Sequence, residues 1–311
     1  MKKKSSIIGI IIGIIVTIVV FQYIPNTNEP DNTIIKRPSS PFNQTTIVYD
    51  APSKIIIENN TIHITPKIEG NLVHEILIPQ DKLLFYHKFF FNEQHLATSS
   101  EISPNPANYE IYKKIGLFNT SKNIVFVYPI FTQAAYDENG FYYYYHKLCD
   151  SKCLTVKIPA EEQGKYTSSI RAAAILSILN YPHITDVDID KNPDILKKFD
   201  RVIMLHNEYV TKKEFDAITS HQNVVYLFPN ALYAEVKTDY DANTITLVKG
   251  HGYPDANIKN GFDWKFDNSQ YEYDNQCDNW TFYTVDNGKM LNCYPSFRMY
   301  YDRDLLTAIK Q

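Results

Sequence analysis

The segment RVIMLHNEYVTKKEF, residues 201–215, changes its pattern twice along its length. It begins with an apolar run that is typical of a buried strand and continues with the polar residues His206, Asn207 and Glu208. It then shows the spacing of a helix that Thr211 can cap. A strand that leads through a polar loop into a helix is the repeating element of an α/β fold.

The neighbouring segments continue this alternation. Strands are predicted for NIVFVYPIF (123–131) and NVVYLFPN (223–230), helices for SSIRAAAILSILNY (168–181) and NPDILKKF (192–199), and a short strand or extended loop for ITDVDID (184–190). Ser168 or Ser169 can cap the first of these helices. We therefore predict an α/β domain over residues 109–311, with an open parallel sheet covered by helices on both faces and a β-rich extension from about Lys237.

Three polar loops follow predicted strands of this sheet: HNEY (206–209), PIFTQAAYDENG (129–140) and PNALYAE (229–235). Ligands of open α/β sheets bind beyond the carboxyl ends of the strands, so these loops should meet at one edge. Strand ends are polar in any α/β protein, however, and the pattern alone leaves both a site and a merely solvated edge open.

The N-terminus predicts a membrane anchor. Lysines at positions 2–4 precede an apolar run from Ile7 to Ile24, and its length of about 18 residues is near the lower limit for a helix that crosses a bilayer. The sequence VVFQYIPNTN (19–28) contains no small-x-small cleavage site, which favours an uncleaved signal anchor over residues 1–24. The positive-inside rule then predicts a single-pass protein of the cell membrane, with a cytoplasmic N-terminus and the chain after Tyr23 extracellular or periplasmic.

Two further regions separate the anchor from the α/β domain. Residues 25–44 are rich in Pro, Asn, Thr and Ser and have no periodicity, which is typical of a linker. Residues 45–108 contain short alternating or apolar runs, which predict a small β-rich module with a candidate hairpin turn at Asn59–Asn60. Pro104 and Pro106 mark its end.

The only four cysteines form two local pairs, Cys149 with Cys153 and Cys277 with Cys293. Exported domains usually oxidise such pairs, so we predict two disulfide bonds. A zinc site built from all four cysteines is the alternative, but its usual C-x2-C spacing is absent.

Composition excludes one class of partner and leaves other features open. The net charge of −4 is spread over the chain without a basic stripe, which argues against nucleic acid as a partner. The run GFYYYYHK (140–147) is predicted to alternate its tyrosines across a strand. Sequons that are compatible with a glycoprotein occur at Asn43, Asn59, Asn119 and Asn279.

The order of three segments resembles a known family. FTQAAYDENGFYYYY (131–145), a long segment with ITDVDID and HNEY (184–218), and YLFPNALYAEV (226–236) together look like the C-terminal α/β domain of the N,N-dimethylformamidase large subunit. That domain is a relative of the class I glutamine-amidotransferase-like fold. The resemblance covers about 100 of the 311 residues and implies a flavodoxin-like or amidotransferase-like sheet.

In that amidase, a mononuclear iron is held by two tyrosines and a glutamate, with a histidine close by. By place in the motifs, Glu208 resembles the carboxylate ligand, His206 the nearby histidine, and Tyr136 one tyrosine ligand. The second tyrosine has no matching position, and Tyr142 to Tyr145 and Tyr166 are candidates. The resemblance thus implies iron as cofactor and hydrolysis of a small amide, because ferric iron prefers hard oxygen ligands and can polarise a carbonyl.

Two other reactions of such sites find little support. A glutaminase would need a cysteine nucleophile at a strand-to-helix elbow, and no cysteine lies at a predicted one. Asp186, Asp188 and Asp190 suggest a calcium loop, but Lys191 and Lys197 occupy the positions of its essential glycine and glutamate. We read these aspartates as solvent-facing side chains of a strand.

Two functions therefore remain. The first is a membrane-anchored hydrolase of an amide C–N bond, with Glu208 and His206 as catalytic residues and with Glu208 and Tyr136 as metal ligands. The second is a non-catalytic cell-surface binding or envelope protein that keeps the fold. Val210, where the amidase often has a tryptophan, and the short loop that carries Cys149 and Cys153 favour the second. We also expect Glu208→Gln to leave stability nearly unchanged, because a strand-end side chain packs against little.

Overall fold

The computed structural model describes residues 54–58, 61–65, 67–68, 71–72, 76–79, 82–91, 97–114, 116–118, 123–164, 169–266, 268–272, 277 and 279–311. The predicted anchor over residues 1–24 and the linker over 25–44 lie outside these ranges, as do Asn43, Asn59 and Asn119 of the sequons. Within the described ranges, no helix has both the length and the apolar character needed to span a membrane.

The chain forms two compact units and is mixed α/β, with parallel and antiparallel strands. Unit 1 contains Met1–Glu110 and Tyr300–Arg303, and unit 2 contains Ile111–Met299 and Asp304–Gln311. The predicted limits of the linker and the β module stay predictions.

Unit 1 is built from antiparallel strands, as its short alternating runs predict. The strands are β1 (Lys54–Glu58), β2 (Thr61–Thr65), β3 (Lys67–Ile68), β4 (Asn71–Leu72), β5 (Ile76–Pro79), β6 (Phe85–Phe91) and β7 (Ala97–Pro104). They form a three-stranded sheet in the order β1-β2-β5 and the two pairs β3-β4 and β6-β7. Glu58 lies opposite Thr61 in the antiparallel pair of β1 and β2, and the candidate turn Asn59–Asn60 lies outside the described residues.

Unit 2 is organised around a six-stranded sheet. In spatial order its strands are β10 (His183–Thr185), β8 (Ile124–Tyr128), β11 (Arg201–Met204), β13 (Val224–Tyr226), β17 (Gly288–Leu291) and β16 (Phe282–Val285). All neighbouring strands are parallel except β16 and β17. The predicted parallel sheet is confirmed, and the C-terminal extension adds two strands to it.

The close approach of β17 to β13 depends on one glycine. A Cβ atom at residue 288 would overlap the backbone carbonyl of Val224, so only Gly288 permits this pairing. The buried strands β8, β11 and β13 are almost entirely apolar, as expected for parallel strands that are covered on both faces.

A four-stranded sheet lies beside the polar segment 206–208. Its order is β12 (Tyr209–Thr211), β14 (Ala234–Asp239), β15 (Thr244–Lys249) and β9 (Thr155–Lys157). β14 and β15 form an antiparallel hairpin. HNEY therefore connects β11 of the first sheet to β12 of the second.

The α-helices of the described residues are α1 (Tyr109–Lys114), α2 (Ile130–Ala135), α3 (Phe141–Tyr145), α4 (Ile170–Ile178), α5 (Asp186–Lys191), α6 (Lys212–Ser220) and α7 (Arg303–Lys310). The 3-10 helices of these residues are Pro106–Asn108, Ser151–Leu154, Pro193–Lys198, Ser269–Tyr271 and Arg298–Tyr300. Thr211 caps α6 as predicted, because its hydroxyl accepts from the backbone N–H of Glu214. The helix predictions for SSIRAAAILSILNY, NPDILKKF and TKKEFDAITSH are confirmed.

Two local predictions are wrong, and of the two serines predicted to cap α4, Ser169 does not do so while Ser168 lies outside the described residues. The tyrosine run forms the helix α3 and not a strand, because Phe141 is buried while Gly140 lets the chain turn against the carbonyl of Ala135. Asp186 begins α5 instead of lying on a strand, since Thr185 and Asp188 form a capping box. Ser169 has a positive φ of 59° and its side chain does not cap α4.

Both disulfide bonds are confirmed. Cys149 is bonded to Cys153 and Cys277 to Cys293, with Cα–Cα distances of 6.1 and 5.0 Å. The described part of the chain contains no free cysteine, so a four-cysteine zinc site is excluded.

Candidate functional site

The backbone of Glu208 is held by the loops that follow three strands. Its N–H donates to the hydroxyl of Thr132 at 3.0 Å, and its carbonyl accepts from the N–H groups of Tyr233 and Ala234, both at 2.9 Å. The side chain has no exposed surface. Because these contacts come from separate loops, the predicted convergence at one sheet edge is confirmed.

The carboxylate of Glu208 accepts two short hydrogen bonds. Tyr136 donates to Oε2 at 2.7 Å, and Nε2 of His251 lies 2.6 Å from Oε1. Tyr142 donates in turn to the hydroxyl of Tyr136 at 2.6 Å. Three oxygen atoms, from Tyr142, Tyr136 and Glu208, thus form a continuous chain, which we call the oxygen triad.

His251 bridges two carboxylates. Its Nδ1 lies 2.9 Å from Oε1 of Glu272, and its side chain is only 5% exposed. Burial alone would lower the pKa of His251, but the charges and hydrogen bonds of Glu208 and Glu272 raise it to about 9. The imidazole is therefore charged at neutral pH.

The same pairing keeps Glu208 ionised. Burial would raise the pKa of its carboxyl group, but the opposite charge and hydrogen bond of His251 lower it below its ordinary value. The hydrogen bond from His251 also lowers the pKa of Glu272. The centre thus contains two carboxylates and one imidazolium.

The surrounding tyrosines remain protonated at neutral pH. Burial raises the pKa values of Tyr136 and Tyr142 well above the ordinary value, and the negative charge of Glu208 raises them further. Burial likewise raises the pKa of Tyr209, whose ring stacks on His251 with centroids 5.5 Å apart. These phenols supply hydrogen-bond donors unless another cation replaces their protons.

His206 lies on the other side of the carboxylate. Its Nε2 is 3.4 Å from Oε2 of Glu208 and 3.0 Å from Nδ2 of Asn230. Its backbone N–H donates to the hydroxyl of Ser169 at 2.9 Å, which is the contact that Ser169 makes instead of capping α4. The ring stacks on Phe228 with centroids 5.4 Å apart.

Two buried amide side chains are near His206: Asn207 follows it in the chain, and Asn230 contacts its ring. Asn207 has no exposed surface, and neither polar atom of its side chain has a hydrogen-bond partner within the ranges that the structure describes. Oδ1 of Asn230 is also buried without such a partner in those ranges. Buried amide groups are usually hydrogen-bonded, so these atoms are candidates for contact with a ligand.

The structure brings Tyr136, Glu208 and His206 together, while their catalytic and metal-binding roles stay predictions. Tyr142 is the tyrosine that extends the pair to a triad, and Tyr166 lies outside the described residues. The expectation that Glu208 packs against little is wrong, because the side chain is enclosed and accepts two hydrogen bonds.

His251, Glu272 and Asn230 were not predicted as site residues. His251 lies in the segment GHGYP (250–254), which forms a turn after the β14–β15 hairpin. The sequence feature that could have identified His251 as a site residue is its position between two glycines at the end of a hairpin. No sequence feature identifies Glu272, because its position depends on how the C-terminal extension folds back.

A cleft of ≈ 820 Å³ opens beside the centre. Its lining includes Tyr142, His251 and Glu272 of the centre together with further tyrosines of α3 and the segment of residues 146–150. A molecule in this cleft would reach the oxygen triad through Tyr142.

A second buried acidic group lies at α5 and α6. Asp186 accepts from the backbone N–H of Phe131 at 2.9 Å, Asp190 accepts from the hydroxyls of Thr211 and Tyr240, both at 2.6 Å, and Glu214 accepts from the N–H of Thr211 at 2.8 Å. Reading Asp186 and Asp190 as solvent-facing is therefore wrong, since both are buried.

Metal binding by acidic or imidazole side chains alone is not indicated. In the described part of the chain, no group of three or more His, Cys, Asp or Glu side chains is arranged to hold a metal ion. The oxygen triad differs from such groups because two of its three atoms are phenol oxygens. No protein-family model and no curated protein sequence matches this chain.

Proposed function

We propose that the protein is an exported, membrane-anchored hydrolase that cleaves the C–N bond of an amide, with the oxygen triad as its centre and ferric iron as its cofactor. The observation that carries this proposal is the geometry of the triad. Its successive oxygens are 2.6 and 2.7 Å apart, and the carboxylate end is fully buried.

The donor set suits iron in its chemistry and its spacing. Two phenols and a carboxylate supply hard oxygen ligands, which trivalent iron prefers. Neighbouring ligands at about 2.0–2.1 Å from an octahedral ion are roughly 2.9 Å apart, close to the spacing of the triad. When bound, the ion would polarise the amide carbonyl and lower the pKa of a bound water.

The chain's own groups would prepare the centre for such a ligand. His251 keeps Glu208 ionised and holds Oε1, which leaves Oε2 directed toward Tyr136. Tyr136 and Tyr142 would have to release their protons on binding, and their raised pKa values make binding weaker at low pH.

His206 and Asn230 would handle the substrate. His206 is close enough to Glu208 to hold a proton near the carboxylate, as a general base or acid must. Oδ1 of Asn230, which is buried without a partner in the described ranges, can accept a hydrogen bond from the N–H of an amide.

Two sequence features support the wider assignment. The resemblance to the amidase α/β domain extends over the loops that carry Tyr136, Glu208 and Asn230, and the largely parallel sheet is compatible with an amidotransferase-like fold. The predicted signal anchor and the two disulfide bonds support a location outside the cytoplasm.

Metal analysis of the purified full-length chain in detergent tests the proposal. We expect about one iron per chain, visible absorption from phenolate-to-iron charge transfer, and hydrolysis of simple amides that disappears on chelation. Iron at background levels after reconstitution with ferric salt, together with no amide hydrolysis, would refute it. The Glu214→Gln variant is a matched control, because it removes a buried carboxylate outside the triad.

A cell-surface binding protein without catalysis is the second candidate. It is favoured by the fact that both oxygens of Glu208 already accept hydrogen bonds from within the protein. In a binding protein, the hydrogen bonds of the oxygen triad and His251 would hold the residues beside the cleft in fixed positions. An iron-free protein that still binds a ligand in the cleft would establish this alternative.

A further inference from the structure

The walls of the cleft of ≈ 820 Å³ are aromatic and come largely from one short helix. Helix α3 contributes Tyr142, Tyr144 and Tyr145, and the ring of Tyr144 meets those of Tyr145 and Tyr253 edge to face at 6.0 and 6.1 Å. These contacts hold the side chains in place before any ligand binds. Rigid aromatic walls with hydroxyl groups at their edges suit a ring-shaped ligand that has both an apolar face and a polar rim.

The floor of the cleft is polar but its charges are already paired. His251 is held between Glu208 and Glu272, and Tyr233 donates to the second oxygen of Glu272 at 3.1 Å. A ligand cation therefore finds no unpaired carboxylate, and a ligand anion meets a floor with a net negative charge. Each carboxylate oxygen of Glu272 retains a lone pair that can accept from a hydroxyl group.

The rim is apolar on one side and held by a covalent bond. Leu148 is 72% exposed, although it lines the cleft, and the Cys149–Cys153 disulfide bond ties its segment to the following 3-10 helix. Asp150 and Lys152 pair with each other on the surface at 3.5 Å. Lys147 also lines the cleft and is exposed, so the rim adds apolar contact area together with one cationic side chain.

These features exclude several ligand classes. The cleft is far larger than a small amide needs and falls in the range of about 300–1,000 Å³ that is typical of larger organic ligands. A purely aryl ligand would not use the hydroxyl groups at the edges of the tyrosines or the remaining lone pairs of Glu272. A cationic ligand finds no unpaired carboxylate at the floor, and an anionic group could pair with Lys147 only at the rim. A neutral, hydroxyl-bearing ring can stack its C–H face on the tyrosine rings of the walls and form hydrogen bonds with the polar floor through its hydroxyl groups.

We propose that the cleft binds a neutral saccharide, and that the substrate is an N-acylated amino sugar whose amide reaches Tyr142 and the oxygen triad. The second half of this statement rests on the proposed function, whereas saccharide binding does not. Tyr144 is then a binding residue that stacks on a sugar ring away from the reacting amide.

Calorimetric titration of the full-length chain in detergent with tri-N-acetylchitotriose tests the binding step. We expect saturable binding that Tyr144→Ala weakens by about tenfold, because a lost aromatic contact costs about that much. Tyr143→Ala is the matched control, since Tyr143 lies on the same helix but does not line the cleft, and it should bind like the parent. Equal affinities of both variants, or no saturable binding by the parent, would overturn the proposal.

Two further measurements separate this inference from the proposed function. An N-acetylated tetra-alanine peptide should not bind, and its Tyr144-dependent binding in the absence of saccharide binding would assign the cleft to peptides instead. The Glu208→Gln variant, if folded by circular dichroism, should bind the saccharide and not deacylate it. Saccharide binding by the parent without deacylation would refute the proposed hydrolysis and support the saccharide site. Iron-dependent hydrolysis of other amides without saccharide binding would refute the saccharide site and support the proposed hydrolysis.

Discussion

Glu208 and Glu214 lie at the two ends of the short strand β12, and neither has any exposed surface. Their surroundings differ in charge. Glu208 faces the imidazolium of His251, and its pKa is lowered despite burial. Glu214 faces Asp186 and Asp190, and burial followed by the charge of Asp186 raises its pKa well above the ordinary value. Equal burial thus accompanies a lowered pKa of Glu208 and a raised pKa of Glu214.

The difference in pKa between Glu208 and Glu214 indicates which of the two carboxyl groups is suited to bind a ligand or transfer a proton. The carboxyl group of Glu214 accepts from the backbone N–H of Thr211, and the hydroxyl of Thr211 donates to Asp190, so this group stabilises the contact between α5 and α6. The ionised carboxylate of Glu208 is held by one cation and one phenol, and such a group is suited to bind a metal ion or a proton. The partner charge, and not burial, separates the candidate site from a structural acidic group.

Removing the charge of Glu208 should have the largest effect. Glu208→Gln leaves the buried imidazolium with one carboxylate fewer, and we expect a loss of about 3 kcal/mol in the free energy of unfolding together with complete loss of bound iron. Urea unfolding and metal analysis measure the two effects. A loss no greater than that of Glu214→Gln would show that the two ends of β12 are equivalent.

The pH dependence of stability should identify His251 as the partner charge. Its pKa rises from 6.5 in the unfolded chain to about 9 in the folded protein. The resulting stabilisation is fully present below pH 6.5 and is lost as the pH rises through about 9, and it amounts to about 3 kcal/mol. Unfolding free energies of the parent between pH 6 and 9.5 should fall by this amount.

The His251→Gln variant should lack most of that fall, because glutamine at this position does not titrate. It should also be less stable than the parent at pH 6, where the imidazolium contributes fully. Parallel curves for the parent and the variant would mean that Glu208 is kept ionised by something other than His251.

Removing the phenol group of Tyr142 should lower stability less than the loss of the Glu208 charge does, but it should strongly lower iron affinity. Tyr142→Phe removes the hydrogen bond to Tyr136, so we expect a loss of about 1 kcal/mol. Iron affinity should fall more than about 100-fold, since loss of a ligand exceeds the effect of outer-shell changes.

Tyr143→Phe is the control on the same helix and should change neither quantity. Spectrophotometric titration with ferric ion at several pH values measures both variants, and the parent should bind more tightly as the pH rises because phenol protons are released. Unchanged iron affinity in Tyr142→Phe would remove this tyrosine from the triad.

The smallest effect is expected for Glu214→Gln. Because burial and the nearby charge of Asp186 raise the pKa of Glu214 in the folded protein, the neutral amide should cost less than about 1 kcal/mol at pH 4. As the pH rises above the ordinary carboxyl pKa of 4.5, the parent must keep a proton that the unfolded chain releases, so the variant should gain stability relative to the parent. A relative loss of stability with rising pH would mean that Glu214 is ionised like Glu208.

Local patterns in the sequence determined the frame of the molecule. The alternation of apolar runs and helical segments predicted β8, β11 and β13 and their parallel order, since hydrophobic periodicity reports which face of an element is buried. Thr211 predicted the start of α6, and the cysteine spacing predicted both disulfide bonds. Each of these features depends on residues that are close together in the chain.

The position of one side of the site was also accessible from the sequence. Tyr136 and Glu208 follow neighbouring parallel strands, and the carboxyl ends of such strands must meet at one edge. Their contact follows from topology alone. The sequence did not, however, distinguish Tyr142 from the other tyrosines of its run, because the run was read with the period of a strand.

The tertiary structure decided the electrostatics. His251 comes from the end of the β14–β15 hairpin and Glu272 from the C-terminal extension, and no local pattern relates either residue to Glu208. The same holds for Asp186 and Asp190, whose alternation suggested exposure although both are buried. A pKa depends on the charges within a few ångströms, and here those charges come from segments far apart in the chain, so only the folded arrangement determines which carboxyl group is ionised.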